Sequence, residues 1–550
     1  METISKPNVK ILTDLLAAYG VRRAVVSPGS RNAPLTVALD RCSDICCTTV
    51  IDERAAAFAG LGMAMRGEPT ALVCTSGTAL LNYAPAVAEA YYSRIPLIVI
   101  SADRPAEWTD QRDSQTIRQN GALASIVRRS VEVPDDMPAA FANRLINDAL
   151  TDAIGDIPGP VHINMPLCRP LTAMCDSAEL PDGIKVETLR ACRLDESDRG
   201  VRTLFERLNV CSRIMVVSGS HRGMHIPEAL ASNPSVAVIA EVNANTGDSY
   251  ASPTLFDGCD IADEYRPDII VSLGGALISD GFKGFLRSCK AEVISVGYDD
   301  CIVDTFRASR LVRAAADADD FLRRWAGAMN SHCESSYRSM WAALASERRK
   351  AVSLAVGSSP WSDLKAVGML AEALAPESML FIANGMSARY CQLADWKRPM
   401  FVGSNRGVSG IDGCTSTAVG LAATTDRTVL LVSGDMGAAY DVAALSAGIA
   451  GPNFKMAVLD NGGGDIFRHV ATTASLPERE RLFAVPPVFP LEKLADAYGF
   501  AYFRASTAGE ATEAVRLFMA EDCRPSILHI LTEPENNQTI YDTLFKRNKK

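Results

Sequence analysis

The 550-residue chain carries 55 Lys and Arg against 65 Asp and Glu, a net charge of −10, with 48% hydrophobic and 22% charged residues. This is the composition of an ordinary globular protein too long for one core, and usual domain sizes divide it into roughly three or four units. The negative charge offers no general attraction to nucleic acid or an acidic membrane, so any anionic small molecule must meet a local cluster of bases.

Met1–Asp14 has no apolar core flanked by basic residues, so no signal peptide is expected. No charge-free apolar run approaches the roughly 20 residues that cross a bilayer, so no membrane insertion is expected. The 15 cysteines are scattered without a Cys-x-x-Cys pair. That pattern fits reduced thiols in a cytoplasmic protein.

Along the chain, apolar runs of strand length alternate with helical patterns, which predicts α/β units with parallel sheets. Examples are Arg23–Ser27, Thr70–Thr75, Pro96–Ala102, Arg213–Ser218, Asp268–Leu273, Glu292–Val296, Thr428–Ser433 and Lys455–Asp460. Leu171–Gly200 and Ser346–Ser362, polar and rich in turn residues or charge, read as linkers. They divide the chain into three α/β domains at 1–180, 181–345 and 346–550. The outer two look alike. A strand ends in Ser76-Gly77-Thr78 and the next at Asp103-Arg104; in the last third a strand ends in Ser433-Gly434-Asp435 and the next at Asp460-Asn461. Thr78 to Arg104 and Asp435 to Asn461 are both separations of 26 residues, which suggests an internal duplication.

Gly434-Asp435-Met436, followed by Asn461-Gly462-Gly463, carries the strongest chemical signal. Magnesium takes hard oxygen ligands in octahedral array and shares them with phosphates. Asp435 and Asn461 at adjacent strand ends can offer two side-chain oxygens, and the Gly463 carbonyl a third. A lone Gly-Asp would be an ordinary turn; the whole spaced pattern resembles the diphosphate-magnesium motif of thiamine-diphosphate enzymes. That family also needs a glutamate against the cofactor's pyrimidine ring. Val50-Ile51-Asp52-Glu53-Arg54-Ala55 resembles its motif, with Glu53 in the catalytic position. Taken alone, Asp52-Glu53 is a helix start favoured by the dipole.

Further segments resemble one branch of that superfamily, the 2-succinyl-5-enolpyruvyl-6-hydroxy-3-cyclohexene-1-carboxylate synthases of menaquinone biosynthesis. They are Ser27-Pro28-Gly29-Ser30-Arg31-Asn32, Ser101-Ala102-Asp103-Arg104-Pro105, Gln115-Thr116-Ile117-Arg118-Gln119 and Ser404-Asn405-Arg406-Gly407 through Gly413. The resemblance spans nearly the whole chain and is weakest in the middle third. It implies a pyrimidine-binding domain, a Rossmann-like middle domain and a diphosphate-binding domain. It also implies thiamine diphosphate with Mg2+ or Mn2+, and a homodimer or homotetramer whose active site lies between subunits.

By that resemblance Ser30, Arg31, Arg104 and Gln115 hold isochorismate, Arg389 and Arg406 hold 2-oxoglutarate, and Ile411 braces the bent cofactor. Gln115 also borders the cofactor, and Ile466-Phe467 wall the reactive centre. Arginines suit such substrates because the guanidinium fork grips carboxylates at two points. Two departures stand out. Asn384-Gly385 replaces the family's Asn-Ser, and Asp280-Gly281 stands where relatives place bases in the middle domain, with Lys283 the nearest cation. Single histidines, with only His221 and His225 at helical spacing, suggest no zinc site. Hydrolase-elbow and dinucleotide-loop motifs are absent. The competing readings are an acetolactate-synthase-like carboligase or decarboxylase, and a ligand-binding relative without catalysis. Several arginines count against pyruvate, and retention of Glu53 counts against a mere binder.

Overall fold

The continuous apolar runs form the interior strands of three parallel sheets in a computed structural model that describes residues 2–187, 198–247, 250–299, 301–329 and 334–545. A short antiparallel pair is separate from them, β1 (Glu2–Ile4) with β8 (Met174–Asp176). The first sheet comprises β2 (Arg23–Val26), β3 (Cys46–Thr49), β4 (Thr70–Cys74), β5 (Leu97–Asp103), β6 (Arg129–Glu132) and β7 (Val161–Pro166) in the order β3-β2-β4-β5-β7-β6. The middle sheet comprises β9 (Ile214–Ser218), β10 (Val236–Ala240), β11 (Ile269–Leu273), β12 (Glu292–Val296) and β13 (Arg310–Ala314) in the order β10-β9-β11-β12-β13. The last comprises β14 (Met379–Ile382), β15 (Phe401–Gly403), β16 (Val429–Gly434), β17 (Phe454–Asp460), β18 (Ala501–Ala505) and β19 (Ser526–Leu531) in the order β15-β14-β16-β17-β19-β18.

Counted from its own first strand, each outer sheet has the order second, first, third, fourth, sixth, fifth. The likeness of the outer thirds is therefore one of topology as well as of spacing. All strands in a parallel sheet end on one edge, and ligands of open α/β sheets bind outside those carboxyl ends. In the last sheet, the neighbouring ends of β15, β14, β16 and β17 lead directly to Arg406, Asn384, Asp435 and Asn461.

The outer units are joined by two helices, Glu53–Ala64 and Cys414–Ala422, that cross at main-chain distance. A Cβ on Gly62 would fall on the Thr417 carbonyl, and one on Gly420 on the Ala59 carbonyl, so only glycine fits at either position. The middle and last units share a second core in which Phe256 and Phe282 each meet Trp341 edge to face.

That core includes part of a segment expected to be a linker. Ser346–Ser362 begins inside a 22-residue helix, Tyr337–Ser358, that buries Trp341, Ala345 and Val352. The run Glu347–Lys350 lies largely on its solvated face, and Pro360 follows two residues after its end, where a helix cannot continue. Leu171–Gly200 also carries structure, since it contains β8, and its Gly183 N–H donates to Asp14 Oδ2 at 2.9 Å; residues 188–197 lie outside the described residues. No helix among the described residues is long and apolar enough to cross a membrane.

Candidate active site

The turn after β16 buries Asp435 as the first residue of the helix Asp435–Tyr440. Its Oδ1 accepts the Met436 N–H at 2.7 Å, and its Oδ2 accepts the Gly463 N–H at 2.6 Å, which ties the two glycine-bearing turns together. Burial, and next the Asp460 carboxylate, push the Asp435 carboxyl well above the usual range. A buried carboxylate so disfavoured calls for a cation. Asn461, also buried, donates from Nδ2 to Asp363 Oδ2 at 2.8 Å, while its Oδ1 has no protein partner. Gly463 adopts φ +88°, and a Cβ there would strike the Val485 carbonyl. Its own oxygen accepts Arg468 Nη1 at 3.3 Å, a long bond that leaves a second lone pair. These oxygens fit Mg2+ or Mn2+ bound with a diphosphate.

Beside this loop, Arg406 donates from Nη1 to Asn384 Oδ1 at 2.9 Å, and its Nε is buried without a partner. Arg389 donates to the Gly385 carbonyl at 3.2 Å and lies 3.9 Å from Asp280. Gly385 has φ +100°, a conformation that a serine would adopt only under strain. Asp280 opens the helix Asp280–Cys289 and pairs with Lys283 at 2.7 Å, so the middle unit's cation and the last unit's Arg389 are brought together through one carboxylate. Glu241, at the end of β10, accepts the Ile278 N–H; burial pushes its carboxyl up to about 7 against the pull of that bond, Arg406 and Lys283. Sequence reasoning missed Glu241 and Asp280 as members of this cluster. A signal was available for both, since Glu241 is an acid directly after β10 and Asp280 is the first residue of a helix capped by Ser279.

The first sheet assembles a second cationic cluster. Arg31 is buried and donates to the Leu167 carbonyl at 2.8 Å. Burial, then Arg104 and Arg169, lower its pKa, which reflects bases crowded without enough anions. Arg104 reaches Asp113 at 2.5 Å and the Ser114 carbonyl at 2.9 Å. Ser30 is exposed on the loop before the Ala33–Asp40 helix. Gln115, exposed with φ +53°, lies against Gly77, and the Gly77 N–H donates to Gln119 Oε1 at 2.6 Å.

Glu53 is the first residue of its helix, capped by Asp52, which accepts the Ala55 N–H at 3.0 Å. Its side chain is half-buried and meets Asn82 Nδ2 at 3.4 Å. Among the described residues no hydrogen bond or ion pair joins Glu53 to Asp435, Asn461 or Gly463. Its neighbour Arg54 does reach that helix, donating to the Tyr440 carbonyl at 3.1 Å and covering its ring. Ile411 is partly exposed on the loop facing Gly437. Phe467 packs on Phe483 at 5.7 Å, and Ile466 leans on the core shared by the middle and last units. His221 and His225 lie outside any helix.

Residues 9–122 match the N-terminal TPP binding domain of thiamine pyrophosphate enzymes, and residues 384–530 match the C-terminal one. A 2-succinyl-5-enolpyruvyl-6-hydroxy-3-cyclohexene-1-carboxylate synthase from Porphyromonas gingivalis is 35% identical, over 98% of this chain and 97% of that protein. The chain belongs to this synthase family. Synthases of the same name from Desulfotalea psychrophila, 34% identical over 96% of this chain and 99% of that protein, and from Bacteroides fragilis (strain YCH46), 32% identical over 97% and 98%, match equally end to end. As a member of the synthase family it is a thiamine-diphosphate-dependent enzyme of the three-sheet α/β kind, and the two matched regions are those carrying Glu53 and the Asp435–Asn461 turns.

Proposed function

We propose that this synthase decarboxylates 2-oxoglutarate and joins the four-carbon remainder to isochorismate, giving 2-succinyl-5-enolpyruvyl-6-hydroxy-3-cyclohexene-1-carboxylate and CO2. The observation that carries the reading is the alignment of Arg406, Asn384, Asp435 and Asn461 along one sheet edge. It supports the reading because an arginine, suited to a carboxylate, lies on the same edge as the turns whose oxygens suit a metal. Bound thiamine diphosphate supplies the electron sink that 2-oxoacid decarboxylation needs.

The chain's residues have these roles. Asp435, Asn461 Oδ1 and the Gly463 carbonyl hold Mg2+ or Mn2+, and Gly434 and Met436 shape the turn around the diphosphate. Glu53 would hold a proton at the pyrimidine as the catalytic acid–base group, and Ile411 would support the cofactor. Arg389 and Arg406 orient 2-oxoglutarate. Ser30, Arg31, Arg104, Gln115 and, from the middle unit, Lys283 orient isochorismate. Ile466 and Phe467 exclude water, which keeps stray protons from the reacting carbon.

The reading includes domains at 1–180, 181–345 and 346–550, a cytoplasmic location, and a homodimer or homotetramer with sites between subunits. The test supplies thiamine diphosphate, Mg2+ and 2-oxoglutarate with and without isochorismate. The coupled adduct is expected only with both substrates. CO2 release with no adduct even when isochorismate is present would point instead to a simple decarboxylase.

A further inference from the structure

Asp363 is wholly buried, lies 98 residues from Asn461 in sequence, and belongs to no motif that marks the cofactor loops. It opens the helix Asp363–Ala373. Two side chains, those of Asn537 and Thr532, close a ring with it. The Asp363 N–H donates to Asn537 Oδ1 at 2.9 Å, Asn537 Nδ2 donates to Thr532 Oγ1 at 3.1 Å, and Thr532 Oγ1 donates to Asp363 Oδ1 at 2.6 Å. Thr532 is itself fixed at the end of β19, where its N–H donates to the Asp460 carbonyl at 2.9 Å. The ring leaves Asp363 Oδ2 one task, accepting Asn461 Nδ2 at 2.8 Å.

We propose that Asp363 is a positioning residue for the metal: by taking the Asn461 amide nitrogen it turns the amide oxygen toward the cation. The chemistry is directional. An asparagine amide presents an oxygen and a nitrogen of nearly equal size, and only the oxygen can ligate Mg2+. A carboxylate accepts and does not donate, so it selects the nitrogen for itself. The partnerless, buried Asn461 Oδ1 is the other half of that selection. The inference rests on the reading of Asp435 and Asn461 as a metal loop and adds the residue that sets the loop's polarity. Outer partners of metal ligands typically alter metal affinity by about 10–100-fold when changed.

The test titrates Mn2+ into the protein in the presence of thiamine diphosphate and reads free Mn2+ by electron paramagnetic resonance. Asp363→Asn presents an amide to an amide, and Mn2+ affinity is expected to fall by about 10–100-fold. The double variant Asp363→Asn/Asn461→Asp exchanges donor and acceptor across the same bond and leaves an oxygen facing the metal, so affinity is expected to return toward that of the unaltered protein. Thr532→Val breaks the ring but keeps the bond to Asn461; it should lower the melting temperature and leave Mn2+ affinity in place. Undiminished binding by Asp363→Asn, or a double variant that binds no better than Asp363→Asn, overturns the proposal. Should Asp363→Asn not fold, Asn461→Asp alone, which sets two carboxylates against each other, must bind Mn2+ more weakly than the double variant; equal affinities overturn it. Asp435→Ala separates the two levels, because Mn2+ binding unaffected by it would remove the metal loop itself and the proposal with it.

Discussion

Glu89 and Gly407 lie 318 residues apart in the chain and meet at 2.6 Å, Oε1 of the first accepting the backbone N–H of the second. The other carboxylate oxygen accepts the Val408 N–H at 2.8 Å. The loop that carries Arg406 is therefore anchored from the first unit, by a side chain that is 2% exposed. Glu89→Ala leaves two N–H groups without that acceptor and should destabilise the fold by about 1–3 kcal/mol per unsatisfied group. It should also raise KM for the 2-oxoacid more than it lowers kcat. Denaturant unfolding and steady-state kinetics check the two effects separately.

Glu53→Gln keeps the side chain's shape and removes its charge. Turnover should fall by about 10²–10⁴-fold, the usual contribution of acid–base assistance, while thiamine diphosphate binding changes much less. Isothermal titration for the cofactor and an adduct assay provide the comparison, and near-normal turnover would remove Glu53 from the mechanism.

The two arginine clusters should fail at different steps. Arg406→Ala should slow CO2 release from 2-oxoglutarate alone. Arg104→Ala should leave that release largely intact and weaken use of isochorismate. Measuring CO2 release without the second substrate, then adduct formation with it, distinguishes them; a shared defect would mean that the subsites are wrongly divided.

Glu241 gives the stability a pH dependence of known sign. Its carboxyl is raised by burial from 4.5 to about 7 in the fold, where Arg406, Lys283 and Asp257 are the charges that act on it. The folded protein thus holds this proton more tightly than the unfolded chain does. The contribution is complete below pH of about 4.5 and is lost as pH rises through about 7. Glu241→Gln should gain stability relative to the parent across that window, by at most about 1.4 kcal/mol per pH unit. Urea unfolding of both proteins from pH 5 to 8 measures the difference.

If each site takes Glu53 from one subunit and Asp435 from another, two dead variants should complement. Glu53→Gln mixed with Asp435→Asn under subunit exchange should recover about a quarter of normal activity for a two-fold assembly with random pairing. Sites built within one chain would recover none. Exchange is followed independently by labelled subunits.

Interior strands were legible because both faces are covered, so Thr70–Cys74, Leu97–Asp103 and Phe454–Asp460 read as largely apolar runs. The edge strands Cys46–Thr49, Arg129–Glu132 and Arg310–Ala314 were not, since their exposed positions carry polar or charged residues. The helix Tyr337–Ser358 was obscured by its own solvated charges. At the site, motif residues announced themselves through glycine spacing. Asp363, Glu89 and Glu241 did not, because each acts on a partner between 37 and 318 residues away, a pairing that only the folded chain creates.

The crossing of Glu53–Ala64 on Cys414–Ala422 has a mechanical consequence. Interfaces that slide do so by hopping side-chain rotamers, and where Gly62 and Gly420 set main chain on main chain there is no such layer to yield. The helix that begins at Glu53 and the helix that follows the Arg406 loop are thereby clamped as one beam. Amide hydrogens at the crossing should accordingly be among the last in the protein to exchange with solvent.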